Sequence, residues 1–181
     1  MKFTQTKISD VILVEVPRFI DIRGSFMETY HEKKFFNHNI KEKFIQDNQV
    51  FSKKHTLRGL HYQLKFPQGK LVRCIKGEVL DIAVDIRESS PTFGHWVSEV
   101  LSSTNLKQLY IPPGFAHGYL VLSHFAEIAY KCTELYHPED EYGLRWDDPD
   151  IGIDWKIKDP ILSEKDKLNP FLKDIQKHLF N

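Results

Sequence analysis

The sequence predicts an all-β protein, an antiparallel sandwich or barrel with short peripheral helices, and two observations carry that expectation. In Val79 to Arg87 the residues Leu80, Ile82, Val84 and Ile86 alternate with Asp81, Ala83, Asp85 and Arg87, the period of two of a half-buried strand. Further runs of the same character, Trp96 to Leu101, Lys107 to Ile111, Tyr119 to Leu122 and Ala126 to Tyr136, follow with Pro- and Gly-containing punctuation between many of them.

Lys76 and Gly77 supply the turn before the first of these strands. Helix patterning is confined to Glu32 to Asn39 and to the C-terminal end. There Asn169 can cap, Pro170 fits the first turn, and Phe171, Ile175 and Leu179 share one face.

The chain has 181 residues, 41% of them hydrophobic, enough for one sizeable core, and no repeat, low-complexity tract or linker divides it. Residues 1–181 therefore read as a single domain. Twenty-five basic residues balance 25 acidic ones, so no overall field draws the protein to nucleic acid or anionic lipid, and an anionic ligand has to be met by a few local cations. The N-terminal stretch has no continuous apolar core, and no run approaches the roughly 18 apolar residues of a spanning helix, so a cytoplasmic location is expected and a membrane is not. Cys74 and Cys132 form no CxxC pair and no cluster with histidine, and read as buried free thiols.

Four segments hold residues that could carry chemistry. In LRGLHYQLKFPQGKLV (57–72), Arg58, His61, Gln63 and Lys70 crowd a strand-like run. Taken singly, His61 is a hydrogen-bonded core histidine and Lys70 a surface lysine, but their density among apolar neighbours favours a site. In IPPGFAHGYLVLS (111–123), Pro112, Gly114 and His117 have the P-x-G-x-x-H spacing of the second cupin motif. The first cupin motif, whose H-x-H holds a metal, is broken here to His61-Tyr62-Gln63 with no glutamate soon after. Two imidazoles and an amide make a poor transition-metal site, so no metal is expected. In AEIAYKCTELY (126–136), Tyr130 read alone is a core aromatic. In LSEKD (162–166), Ser163 and Asp166 fit a capping box, which by itself accounts for Asp166; the alternative is a carboxylate that orients His61.

Taken together, DIRGSFMETY, QDNQVFSKKHTLRGLHYQ, PQGKLVRCIKGEVLDIAVDIR, IPPGFAHGYLVLS, YKCTELY, and WDDPDIGIDW with LSEKD resemble the dTDP-4-dehydrorhamnose 3,5-epimerase family, in family order from about residue 10 to 170. The resemblance implies a cupin-type jelly-roll barrel that epimerises C3 and/or C5 of a nucleotide-linked 4-keto sugar for surface-polysaccharide synthesis, without cofactor. It implies His61 as the base, Asp166 as its partner, Tyr130 as the acid on the other face of the sugar, and Lys70 as the cation beside the enolate oxygen. Gln46, Asn48, Arg58, His117 and Tyr136 become nucleotide and phosphate contacts. Arg23, Phe26 and Glu28 become residues that reach into a neighbouring subunit's site, which makes the expected assembly a homodimer. One departure is Lys156 after Trp155, where the family often has proline.

The chemistry is consistent with these residues. A proton next to a ketone becomes removable when the enolate oxygen meets a preorganised cation, and the chain has no Gly-rich dinucleotide fingerprint. Rival readings are the same epimerisation on a GDP-linked 4-keto-heptose, a sugar-nucleotide 3,4-ketoisomerase, a metal cupin, and a carbohydrate-binding jelly roll. Tyr130 with His61 speaks against the ketoisomerase and Gln63 against the metal cupin.

Overall fold

The computed structural model describes residues 1–175, 179 and 180. The strands are β1 (Lys2–Gln5), β2 (Ile12–Glu15), β3 (Phe19–Asp21), β4 (Gly24–Phe26), β5 (Gln46–Lys53), β6 (Leu57–Gln63), β7 (Lys70–Lys76), β8 (Glu78–Asp85), β9 (Trp96–Ser102), β10 (Lys107–Ile111), β11 (Phe115–Val121), β12 (Phe125–Cys132) and β13 (Glu141–Gly143). Two helices accompany them, α1 (Glu32–Phe36) and α2 (Glu164–Lys167).

The strands form two main antiparallel sheets, one in the order β1-β2-β10-β7-β12-β5 and the other β13-β6-β11-β8-β9, and β3 and β4 pair with each other as a separate ribbon. This is the expected jelly roll, as an open two-sheet sandwich: among the described residues no hydrogen-bonded ladder joins the two main sheets. Between them lies a core that includes Val72, Val79, Ala83, Leu109, Ile111, Phe115, Val121, Ala126 and Ile128. Fully burying an aliphatic side chain of this kind contributes about 1.5–3 kcal/mol. A second core, with Leu60, Ile82, Val84, Ile86 and Leu120, covers the back of the five-stranded sheet beneath Ile151, Trp155, Leu172 and Ile175.

Several expectations need correction. The run at Val79 is a central strand buried on both faces, because β8 lies between β11 and β9 with one face in each core; Asp81 and Asp85 are fully buried. The strand expected over Ala126 to Tyr136 ends at Cys132, where Gly69 binds the Thr133 hydroxyl and the carbonyls of Glu134 and Leu135 are taken by Gln68 and Gln63. Helix α1 stops at Phe36 instead of Asn39, because Asn39 adopts φ +66° and turns the chain so that Ile40 is buried beside Phe35.

The C-terminal helix is replaced by one 3-10 turn over Leu172–Asp174, with Phe171 and not Asn169 at its N-cap; residues 176–178 of that expectation lie outside the described residues. Asp148 accepts the Leu172 amide and holds the turn, and Leu172 and Ile175 are buried. Lys156 has φ +61°, a conformation that proline's ring forbids. Among the described residues no helix is long and apolar enough to cross a membrane.

Candidate active site

The site is built on an irregularity between β6 and β11. His117 faces His61 and Tyr119 faces Arg58, so two steps along β11 match three along β6. Strict alternation would send residues three apart to opposite faces; the bulge puts Arg58 and His61 on the same one. Gly59 occupies the slip at φ +103°, where a Cβ would lie 2.5 Å from the His117 carbonyl oxygen. Only glycine allows the two backbones to approach this closely.

The six-stranded sheet contributes a facing wall. On β12, Tyr130 lies opposite Val72 and Asn48, and Cys132 lies opposite Lys70 and Gln46, so Tyr130 and Lys70 stand on adjacent strands one inward row apart. A cavity of about 210 Å³ is lined by Val50, Arg58, His61, Lys70, His117, Gly118, Tyr119, Tyr130, Ser163, Lys165 and Asp166. Six of the expected site residues thus meet in one cavity: His61, Tyr130, Asp166, Lys70, Arg58 and His117.

Asp166 is held from two directions. Its amide donates to Ser163 Oγ at 3.1 Å, which makes the predicted cap, and its Oδ1 lies 2.5 Å from His61 Nε2. Burial works to raise the Asp166 carboxyl, but the hydrogen bond and charge of His61 outweigh it and hold the group below the ordinary carboxylate range. Asp166 is therefore the acceptor, the His61 Nε2–H donates, and Nδ1 is left as the basic nitrogen. That nitrogen faces Glu141 Oε1 at 3.9 Å.

Burial pushes the Tyr130 hydroxyl up to about 12, with Cys132 and Tyr119 adding to the effect, so it retains its proton at neutral pH. Burial also lowers the Lys70 ammonium, against the attraction of Cys132, Glu141 and Asp81. At the rim Gln46 donates to Asn48 at 3.1 Å and accepts the Tyr136 amide at 2.8 Å, while the Tyr136 hydroxyl donates to Glu141 at 2.9 Å. These three residues connect to one another but do not line the cavity.

Arg23, Phe26 and Glu28 are not brought to the cavity. Arg23 pairs with Asp21, Glu28 pairs with Lys34, and Phe26 is 68% exposed, all on or next to the β3–β4 ribbon. Gln63 points into the adjoining loops, where its amide donates to the carbonyls of Phe66 and Leu135 and accepts the His137 amide. Its oxygen, the atom an amide would offer to a metal, is taken by the His137 amide, and among the described residues no three His, Cys, Asp or Glu side chains gather as a metal site would need, so the residues present do not fit a cupin metal.

Three residues of the site escaped sequence reasoning. Glu141 lies under β6 through the β13 pairing of Glu141 with Gln63 and makes an ion pair with Lys165. Lys165 is visible only as the neighbour of Asp166 in LSEKD. Asp81 looked like an outward residue of an alternating strand, yet its Oδ1 lies 2.8 Å from His117 Nε2.

The sequence pattern of the dTDP-4-dehydrorhamnose 3,5-epimerases matches residues 5–174. A dTDP-4-dehydrorhamnose 3,5-epimerase of Pseudomonas aeruginosa is 51% identical over 171 residues, 92% of this chain and 93% of that one. The enzyme of the same name from Methanothermobacter thermautotrophicus is 49% identical over 92% of this chain and 91% of its own length. In three dimensions the crystal structure of the dTDP-6-deoxy-D-glucose-3,5-epimerase of Legionella pneumophila, in complex with dTDP-4-keto-L-rhamnose, superposes with a TM-score of 0.96 at 44% identity, covering 99% of this chain and 97% of that one. With a shared pattern over nearly its whole length and half its residues identical to such enzymes, the chain belongs to the dTDP-4-dehydrorhamnose 3,5-epimerase family.

Proposed function

We propose that the protein epimerises C3 and C5 of a dTDP-linked 4-keto-6-deoxyhexose by removing a proton from one face of the sugar and returning one to the other. The observation that carries this reading is that His61 and Tyr130 rise from opposite sheets into a single cavity. A pyranose between the sheets presents one face to each group. His61 Nδ1 takes the proton next to the C4 ketone, and the electron pair moves onto the ketone oxygen. The Lys70 ammonium meets the charge that develops there; a single donor of this kind is typically worth roughly 3–4 kcal/mol. Tyr130 then gives its hydroxyl proton to the carbon from the other side. The protonated His61 and the Tyr130 phenolate return to their starting states by exchange with solvent.

The cavity is smaller than the roughly 300–1,000 Å³ that encloses a whole drug-sized ligand, so the nucleotide lies outside it. Arg58 and His117 then face the diphosphate, and Gln46, Asn48 and Tyr136 at the rim face the base and sugar. We read residues 1–181 as one epimerase domain that works as a homodimer. In support, the β3–β4 ribbon pairs with no other strand among the described residues and exposes Phe19, Ile20, Ile22 and Phe26. In the dimer, Arg23, Phe26 and Glu28 on this arm complete the neighbouring site.

The deciding experiment supplies dTDP-linked and GDP-linked 4-keto sugars in D2O and follows deuterium by NMR. Incorporation at both C3 and C5 of the dTDP sugar is expected. Incorporation only from a GDP-linked heptose, or carbonyl migration to C3, would assign the site to a different reaction. Sedimentation analysis of wild type against Phe26→Asp tests the ribbon as a dimer contact.

A further inference from the structure

We propose that Asp81 and His117 form a proton-linked clamp, in which His117 binds the diphosphate as an imidazolium whose second N–H is held by Asp81. The inference rests on the reading of Arg58 and His117 as diphosphate contacts and extends it to how the anion is bound. Asp81 is fully buried on β8; its Oδ1 lies 2.8 Å from His117 Nε2, while its Oδ2 has no hydrogen-bond partner among the described residues. Asp140 also leaves one oxygen, Oδ1, without a partner among the described residues, but its Oδ2 takes the amides of Lys65 and Phe66. Asp85 is met by Arg87, Ser90 and Thr92, and Asp148 by the amides of Asp150 and Leu172. A buried carboxylate with a single hydrogen bond is costly to keep as mere structure, because burial strips its hydration without supplying a full set of donors.

The geometry repeats that of the neighbouring pair. His61 and His117 face each other across β6 and β11, and each offers Nε2 to the Oδ1 of a buried aspartate. With Nε2–H directed at Asp81, Nδ1 is the nitrogen that His117 has available for the cavity. A neutral ring would present a lone pair there, and a lone pair repels a phosphate oxygen. Contact with the diphosphate therefore requires a second proton, and only the imidazolium donates from both nitrogens.

Most of the charged groups around the cavity oppose that proton. Arg58 and His61 from β6, Lys70 from β7 and Lys165 from α2 are basic; Tyr130 from β12 and Tyr119 from β11 stay neutral; Asp166 is engaged by His61, and Glu141 from β13 by Lys165. Asp81 is the carboxylate in contact with the ring, which makes it the counter-charge for the added proton. It touches no substrate and acts as a positioning residue.

The test is calorimetry of dTDP-glucose, which has no ketone to react and no terminal phosphate to titrate. Binding is measured in paired buffers of different ionisation heat from about pH 6 to about pH 10. Wild type should take up close to one proton more than His117→Asn at the pH of greatest uptake. On the alkaline side its affinity should fall about tenfold per pH unit, the slope of one linked proton. Asp81→Asn should bind more weakly at about pH 8 and shift the uptake to lower pH, and Asp81→Asn combined with His117→Asn should bind no more weakly than His117→Asn alone.

Equal uptake by wild type and His117→Asn at every pH overturns the clamp, as do additive losses in the double variant. The comparison with His117→Asn stands even if Asp81→Asn fails to fold. A wild type that does not bind dTDP-glucose at any pH overturns the nucleotide-sugar reading itself, whereas tight binding without proton uptake overturns the clamp alone.

Discussion

His61 and Asp166, 105 residues apart in the chain, meet at 2.5 Å between Nε2 and Oδ1. The contact depends on two local devices: the bulge that turns His61 inward, and the Ser163 cap that fixes the first turn of α2. If His61 is the base and Asp166 its orienting partner, their replacements should differ in kind. His61→Ala should abolish deuterium exchange at C3 and C5, since no other group is placed at the α-proton. Asp166→Asn should keep exchange at a reduced rate. Because the folded Asp166 carboxyl is held below its ordinary value of 3.8, its contribution to stability is present above that value and lost as pH falls through the lowered one. Asp166→Asn should flatten this acid limb in thermal melts recorded against pH; an unchanged limb would show that Asp166 is not the titrating partner.

Tyr130→Phe removes the hydroxyl and keeps the ring against Ile128 and its neighbours in the core. His61 can still form the enolate and return solvent deuterium to the face it came from. NMR should therefore find exchange with configuration largely retained, and full-rate inverted product would remove Tyr130 from the acid role.

Lys70→Ala should lower kcat by roughly 10²–10³, the loss typical of an oxyanion donor, with KM changed much less. Burial lowers the Lys70 ammonium from 10.5, so the cation disappears as pH rises through that lowered value. The alkaline limb of kcat/KM should accordingly fall below pH 10.5, and Lys70→Arg, with its higher pKa, should move the limb upward even at reduced rate. A limb that stays put in Lys70→Arg belongs to another group.

Gly59→Ala places a methyl 2.5 Å from the His117 carbonyl oxygen at a φ of +103°. Backbone faces backbone at this point, so neither strand can yield without losing the bulge. The variant should lose several degrees of melting temperature or more, and His61 and Arg58 should no longer share the cavity. Retention of wild-type stability and turnover would mean that the slip in register does not set the site.

What was legible in the sequence was local. The period of two in Val79 to Arg87 announces a strand, because successive side chains must leave an extended backbone on opposite sides, and the spacing of Ser163 and Asp166 announces a cap for an equally local reason. The family resemblance carried the roles of His61, Lys70, Tyr130 and Asp166, which periodicity alone could not. The tertiary structure decided which faces are buried and which groups meet. Asp81 reads as an outward residue until β8 proves to lie between two cores, and a period of two is the same for a strand covered on one side or on both. Arg58 and His61 share a face through a register slip against β11, and Glu141 reaches His61 only through the pairing of β13 with β6. Those placements come from pairing between strands far apart in sequence, and such pairing is set by the whole sheet, so no local stretch of sequence contains it.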